Sequence, residues 1–468
     1  MNPKHTLTIL NRLANRKPRK AARLERALQG RLDTLASTAL EVAVETGDPI
    51  GRVMAKKVRD GVSHETFRIL LDKLGSEVYR NSVPLRELGL TITRSALEQW
   101  QASEAATAEE RIQALNNLGF WLRASGDPES ALRAVEQAVE LSRKSTSDAS
   151  LRHTARNLHS LSTLLADLEK REEALSIMKE ALDLDRQLAA ENPEHEMELV
   201  SSLQNFGAMQ WGLSRFKDAL LTMKEAVTRG RKLAQDPTGR GRSLLANGLH
   251  NVGAILDDLD EREEALQALT EAVEIRRELV EAHEHSYRPD LASSLHNLAI
   301  VLGALNRPEE SVGSLLECLK LREDLARSRP GPFEPPLART LSVLGNRLRK
   351  LGRAEEALPH SQRAADIYRR LAETKEGLFQ DDLAASLNNL SLVLGDVGRR
   401  EESLRVAEQA VAIYRRLVAG TPGAFEQELA GSLHTYAESL RALDRLEMAE
   451  LVLDEREAIL QAVAAGSS

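Results

Sequence analysis

The chain is short of the residues that would staple it or give it a wide core. Of 468 residues only Cys318 is a cysteine, so no disulfide can close within the chain, and a reducing cytoplasm is the compartment that suits it. Aromatic residues make up 3% against 42% hydrophobic residues, mostly Leu and Ala, which favours thin layers of helix on helix. Runs of β-branched residues bounded by turn signals are missing, so no sheet is expected. No run of about 18 apolar residues occurs, which excludes a spanning helix. The start of the chain also has no apolar stretch of signal-peptide length.

Motifs that carry chemistry are equally scarce. There is no Gly-rich phosphate loop ending in Lys-Ser/Thr, no H-E-x-x-H and no paired cysteines. Asp257, Asp258, Asp260 and Glu261 are acidic enough for calcium but lack the spacing and glycine of an EF-hand, so a solvated turn is expected. No cofactor, no metal and no enzymatic activity are expected.

Charge is distributed unevenly. The formal net charge is -8, yet residues 1–31 carry Lys4, Arg12, Arg16, Lys17, Arg19, Lys20, Arg23, Arg26 and Arg31 against Glu25 alone, which is +8 there and -16 elsewhere. Such a segment could tether the chain to nucleic acid or anionic membrane in a salt-sensitive way. It carries no aromatics for base stacking. A solvated tail or a clasp on the acidic remainder are the alternatives.

What the chain does have is one pattern eight times over. Aligned on an apolar anchor, the copies fall at Leu118, Leu161, Phe206, Val252, Leu298, Leu344, Leu390 and Tyr436, and the interval settles to 46 residues. A small residue follows each anchor (Gly119, Ser162, Gly207, Gly253, Ala299, Gly345, Ser391, Ala437), where two helix backbones must approach closely. Further small positions come thirteen and twenty residues after the anchor, as at Ala131 and Ala138 or Ser311 and Cys318. They are two helical turns apart and so share one face. Burial at such a position should keep Cys318 a neutral thiol. A hairpin of this kind cannot bury its apolar stripe alone, so copies must stack.

The spacing predicts an all-α chain, an elongated solenoid of antiparallel helical hairpins. Residues 1–20 are expected to be mobile or to form one short helix over Leu7, Ile9, Leu10 and Leu13. One steadier helix should follow over Leu24, Leu28, Leu32 and Leu35, ended by Gly47-Asp48-Pro49. Residues 21–101 then form an N-terminal cap in which 64–101 is a degenerate repeat, with Phe67, Leu70, Leu71 and Leu74-Gly75 in its first helix and Gly89 and Ala96 in its second. Residues 102–460 hold the eight repeats, and 461–468 fray. In the last copy Glu450 and Arg456 replace apolar and small residues, as suits a closing cap. Turns at Gly126-Asp127, Gly352-Arg353 and Gly398-Arg399 separate the two helices of a repeat, with Pro128 and Pro308 just after the turn.

The segments ALNNLGFWLRASGDPESALRAVEQAVEL and SLNNLSLVLGDVGRREESLRVAEQAVAIYRRL resemble tetratricopeptide repeats. The long period and the recurring L-x-N-L-(G/A/S) resemble the kinesin-light-chain type. The likeness covers residues 112–460 well and 64–101 weakly. It implies a right-handed superhelix whose concave groove, lined by first helices, holds an extended or helical peptide.

The residue before the anchor is Asn117, Asn205, Asn251, Asn297 or Asn389 in five copies. A carboxamide can hold a peptide backbone regardless of its side chains, and similar asparagines line the cargo groove of the resembled type. The alternative is that each Asn bonds the neighbouring hairpin and fixes stacking. One residue earlier stand His159, His250, His296 and His434. Equivalent positions in stacked repeats lie roughly 10 Å apart, too far to share a metal, so they form a polar stripe. Along the same face Trp211 offers an apolar contact. Arg339, Asn346, Arg349 and Lys350 form the most basic stretch, fitted to an acidic side chain or a terminal carboxylate, unless nearby acids already balance it. Arg369-Arg370, Arg415-Arg416 and Arg276-Arg277 stand late in second helices, where they complement the helix dipole. The expected function is a non-enzymatic, cytoplasmic adaptor holding a partner protein's peptide or helix in the groove. The alternative is a regulatory subunit tethered through its basic N-terminus.

Overall fold

The computed structural model describes residues 3–16, 21–28, 32–46, 50–60, 62–74, 86–101, 106–144, 148–235, 240–282, 287–374 and 377–466. Lys17, Arg19, Lys20 and Arg31 of the basic segment, the Gly47-Asp48-Pro49 break and Gly75 lie outside them. The described residues are helices and short turns without a strand. The chain forms two compact units, Met1–Arg229 and Gly230–Ser468.

Among the described residues the first unit opens with six helices: α1 (Pro3–Arg16), α2 (Ala21–Leu28), α3 (Leu32–Thr46), α4 (Ile50–Arg59), α5 (His64–Leu74) and α6 (Arg86–Gln101). The leucine series over 24–35 thus spans two helices, with Gly30 in the sequence between them. Of the segment expected to be mobile or to form one short helix, residues 3–16 are α1, whose Leu7 and Ala14 are buried. Its Asn11 is buried too, and its side-chain oxygen accepts the Ile50 N–H at 2.8 Å, capping α4 from 39 residues away. Helix α6 packs on α4 and on the first repeat more than on α5, so both helices belong to one bundle with α4 and the first repeat. Gly89 explains why: a Cβ there would sit 2.4 Å from the Trp121 ring, so only a glycine lets this first-repeat indole seat against α6.

Eight hairpins follow: α7/α8 (Ala108–Ala124, Pro128–Ser142), α9/α10 (Asp148–Asp167, Arg171–Glu191), α11/α12 (Glu196–Gly212, Phe216–Leu233), α13/α14 (Arg240–Asp258, Arg262–Ala282), α15/α16 (Arg288–Ala304, Pro308–Ser328), α17/α18 (Pro330–Lys350, Ala354–Thr374), α19/α20 (Gln380–Asp396, Arg400–Gly420) and α21/α22 (Glu426–Arg441, Leu446–Gly466). The last helix continues to Gly466, beyond where fraying is expected. Each turn is built alike. The residue eight after the anchor has positive φ in all eight copies: Gly126, Glu169, Ser214, Asp260, Asn306, Gly352, Gly398 and Asp444. The next N–H reaches back five residues, as Asp127 to Leu122 O at 3.0 Å and Arg399 to Leu394 O at 2.9 Å, which closes the first helix.

The small positions do what the spacing requires. A Cβ on Gly119 would lie 2.5 Å from Val135 Cγ2 of the partner helix. The small residues thirteen after the anchor, such as Ala131, Ala265 and Ser403, are buried, and Cys318 is buried with its thiol pushed up by burial. Within each unit neighbouring first helices approach one another more closely than second helices do, so the first-helix face is the crowded side of each stack.

Candidate functional site

The first-helix face is made by side chains two and one before the anchor and two to six after it, and the seams between hairpins decide which of them remain accessible. At four of the seams the residue 24 after one anchor meets the residue four before the next. In repeats one and two, Asn157 donates to Ala138 O at 3.2 Å and to Ser142 Oγ at 3.3 Å, while Asn116 donates to Asn157. Between repeats two and three, His159 Nε2 lies 3.0 Å from Asp185 Oδ2 and 2.8 Å from Ser202 Oγ. In the second unit Arg276 takes the same place, donating to Asp290 O and Asn247 Oδ1 at 2.8 Å each and to Ser294 Oγ. Arg322 repeats the arrangement with Pro336 O at 2.6 Å and Thr340 Oγ1. Tyr368 and Tyr414 occupy the slot in the last two seams.

His159, Asp185 and Ser202 have the composition of a hydrolytic triad but not its geometry. Nε2 faces both the carboxylate and the hydroxyl, and Ser202 Oγ also donates directly to Asp185. A triad needs the carboxylate on one ring nitrogen and the nucleophile on the other. Ser202 is 1% exposed, so no substrate can reach it. The cluster is a stacking key.

Models of the tetratricopeptide repeat match residues 111–148, 155–188, 245–287, 291–326 and 337–416. The chain is a tetratricopeptide-repeat protein. A solved signal-transduction ATPase with a tetratricopeptide-repeat sensor, from Pyrococcus horikoshii, matches at 14% identity with a TM-score of 0.54, over 83% of this chain and 54% of its own. BtubC (BKLC) from P. vanneervenii matches at 19% identity and TM-score 0.43, over 53% of this chain and 92% of its own. A putative kinesin light chain from Podosopora anserina matches at 21% identity and TM-score 0.38, over 47% and 96%. No curated protein matches the chain.

On the tetratricopeptide hairpins the expected groove residues divide. Asn117 is 1% exposed, and its Nδ2 donates to Leu71 O at 3.1 Å, so this member of the stripe fixes stacking. Asn205 is exposed, and Asn251, Asn297 and Asn389 are half-buried with accessible surface. The histidines belong to the seams rather than to an open stripe. His250 Nδ1 lies 3.0 Å from Ser294 Oγ, and burial followed by the Arg276 charge pulls its pKa down to about 4. His296 is 8% exposed, and burial followed by Arg322 and Arg339 pulls it to about 3. Only His434 is fully open. Trp211 and Asn346 are half-buried, and Arg339 and Lys350 are exposed. Arg349 is already paired with Asp396 of the next repeat at 3.3 Å, so the expected basic stretch is partly neutralised within the fold.

The dipole-complement reading of Arg276 is corrected. It aligns with Tyr368 rather than with Arg369 and is buried as a seam key. Its neighbour Arg277 belongs to a second series: the residue 25 after one anchor pairs with the residue 19 after the next. Arg143–Glu180, Arg186–Glu225, Arg231–Glu271, Arg277–Glu317 and Arg415–Glu455 all follow this rule. Glu323–Arg363 follows it with the charges exchanged. The signal was present in the sequence as opposite charges about 40 residues apart.

Proposed function

We infer that this chain works through protein interaction, as tetratricopeptide repeats generally do; among the described residues no helix is long and apolar enough to cross a membrane. We propose that this chain is a non-enzymatic adaptor that holds a peptide or helix of a partner protein along its first-helix face. The observation that carries the reading is the split within the polar stripe. In the second unit His250 and His296, two before the anchor, are taken up by the seams, whereas Asn251, Asn297 and Asn389 keep accessible surface. Carboxamides left accessible in the same register of several hairpins can engage a backbone in either hydrogen-bonding sense. The tether reading gains no such support, since α1 is packed through Leu7 and Ala14, and Lys4 pairs with Glu41 at 3.2 Å.

Alanine at Asn251, Asn297 and Asn389 together should abolish partner capture from a native lysate while helicity and melting stay unchanged. Loss of the fold in that variant would assign the three residues to stacking and remove the residue-level basis of the adaptor reading.

A further inference from the structure

Large apolar side chains are exposed at few of the described positions. Ile9, Leu221, Leu316 and Leu378 stand singly, whereas Leu446, Met448 and Leu451 crowd the start of α22 and are 58%, 47% and 69% exposed. Scattered apolar residues are ordinary on a surface, but a cluster marks a contact. The helix itself is anchored, since its Ala449 and Val452 are buried in the core of the second unit.

Elsewhere in the array this surface is charged. Met448 stands twelve residues after its anchor, a position that is acidic in the six repeats before it. In three of those repeats the acid holds an arginine three residues earlier, as Arg307–Glu310, Arg353–Glu356 and Arg399–Glu402. The last repeat keeps the arginine, Arg445, and loses the acid, so Arg445 is exposed with no ion pair among the described residues. Asp454 is exposed without one too, although Arg441 and Glu455 nearby are paired with Glu438 and Arg415.

Arg445, Met448, Leu451 and Asp454 follow one another at three-residue steps and so form one row along the helix. The row is apolar in the middle, basic at one end and acidic at the other. A two-fold axis through its midpoint sets Met448 of one copy against Leu451 of another and Arg445 against Asp454, each contact occurring twice. The row is thus complementary to itself in apolar contact and in charge.

We propose that this face of α22 is a self-association surface that pairs two copies of the chain antiparallel, with Met448 and Leu451 at the centre and reciprocal Arg445–Asp454 ion pairs at the ends. A contact built on one helix face falls at the small end of specific interfaces, below about 1,200 Å2, where association is weak and depends on concentration. The surface belongs to a second helix, so pairing leaves the first-helix face to a peptide.

The test is sedimentation velocity on the full chain from about 1 to about 200 µM. The wild type should pass from monomer to dimer over that range. Met448→Glu, which restores the acid of the other repeats beside Arg445, should weaken dimerisation roughly tenfold or more. Arg445→Asp and Asp454→Arg each turn both end pairs into like-charge contacts and should stay monomeric, whereas an equimolar mixture of these two variants should dimerise, because every end pair is again of opposite charge. All three positions are exposed, so unchanged helicity and melting should accompany these results. A wild type that stays monomeric, assembly that continues beyond a dimer, charge variants that associate as well as the wild type, or a mixture that remains monomeric overturns the proposal. Adsorption of monomeric wild type to neutral phosphatidylcholine vesicles, lost in Met448→Glu, would assign the apolar pair to lipid and overturn it as well. Association that disappears in the Asn251, Asn297 and Asn389 alanine variant would place the interface on the first helices, with the same consequence.

Discussion

Acid should unfold the second unit through two histidines, and the size of the effect follows from where they sit. His250 is packed between Ser294, Asn297 and the Arg276 guanidinium, and His296 lies beside Arg322 and Arg339. Both are held neutral, with pKa values of about 4 and about 3 against the ordinary 6.5. Because the folded values are depressed, the unfolded chain binds more protons as the pH drops below 6.5. The associated stability is therefore complete above that value and is lost on acidification, down to about 4 for His250 and about 3 for His296. At about pH 4.5 each unfolded imidazole has gained a proton that its folded counterpart still refuses. Two pH units at 1.36 kcal/mol each, for two histidines, amount to about 5 kcal/mol, a large share of the total stability of a domain. The assay is thermal melting by circular dichroism between about pH 7.5 and 4.5, for wild type and for the double variant His250→Gln, His296→Gln, which keeps hydrogen-bonding capacity without titrating. The wild type should lose about 5 kcal/mol more than the variant over this range. Trp100, Trp121 and Trp211 all belong to the first unit, so tryptophan emission should stay constant through the first acid transition. Equal acid losses in the two proteins would refute the argument.

Two smaller perturbations test the local physics. Ser214 is an exposed turn residue at φ 58, so Ser214→Gly should stabilise the chain by about 1 kcal/mol, read from the chemical-denaturation midpoint of the first unit. Asn11→Ala leaves the Ile50 N–H at the buried start of α4 without its acceptor and should cost about 1–2 kcal/mol, seen as lower amide-exchange protection across α1 and α4.

The repeat announced itself because its constraints are local and periodic. A small residue just after the anchor, a second small residue thirteen past the anchor and a left-handed turn residue between them are each forced by two helices crossing at one point. Eight copies make the pattern unmistakable. The exposed ion-pair series was equally readable, since opposite charges about 40 residues apart are a property of the string, though only the packed structure drew attention to it. The N-terminal bundle was harder to read. Gly89 looks like a repeat's small position, but the group it admits is Trp121, from a different hairpin.

The sequence by itself determined that this is an all-α stack of tetratricopeptide hairpins, where each hairpin begins and turns, and which residues lie along its first helices. Tertiary structure alone decided which of those residues are accessible, because that depends on what the next hairpin brings to the seam. Asn117 and Asn205 share one register position, yet Leu71 O accepts from the first while the second is exposed. Likewise Arg349 has found Asp396, whereas Arg347 Nε is buried with no partner among the described residues, a difference of two residues along one helix that no periodicity can reveal.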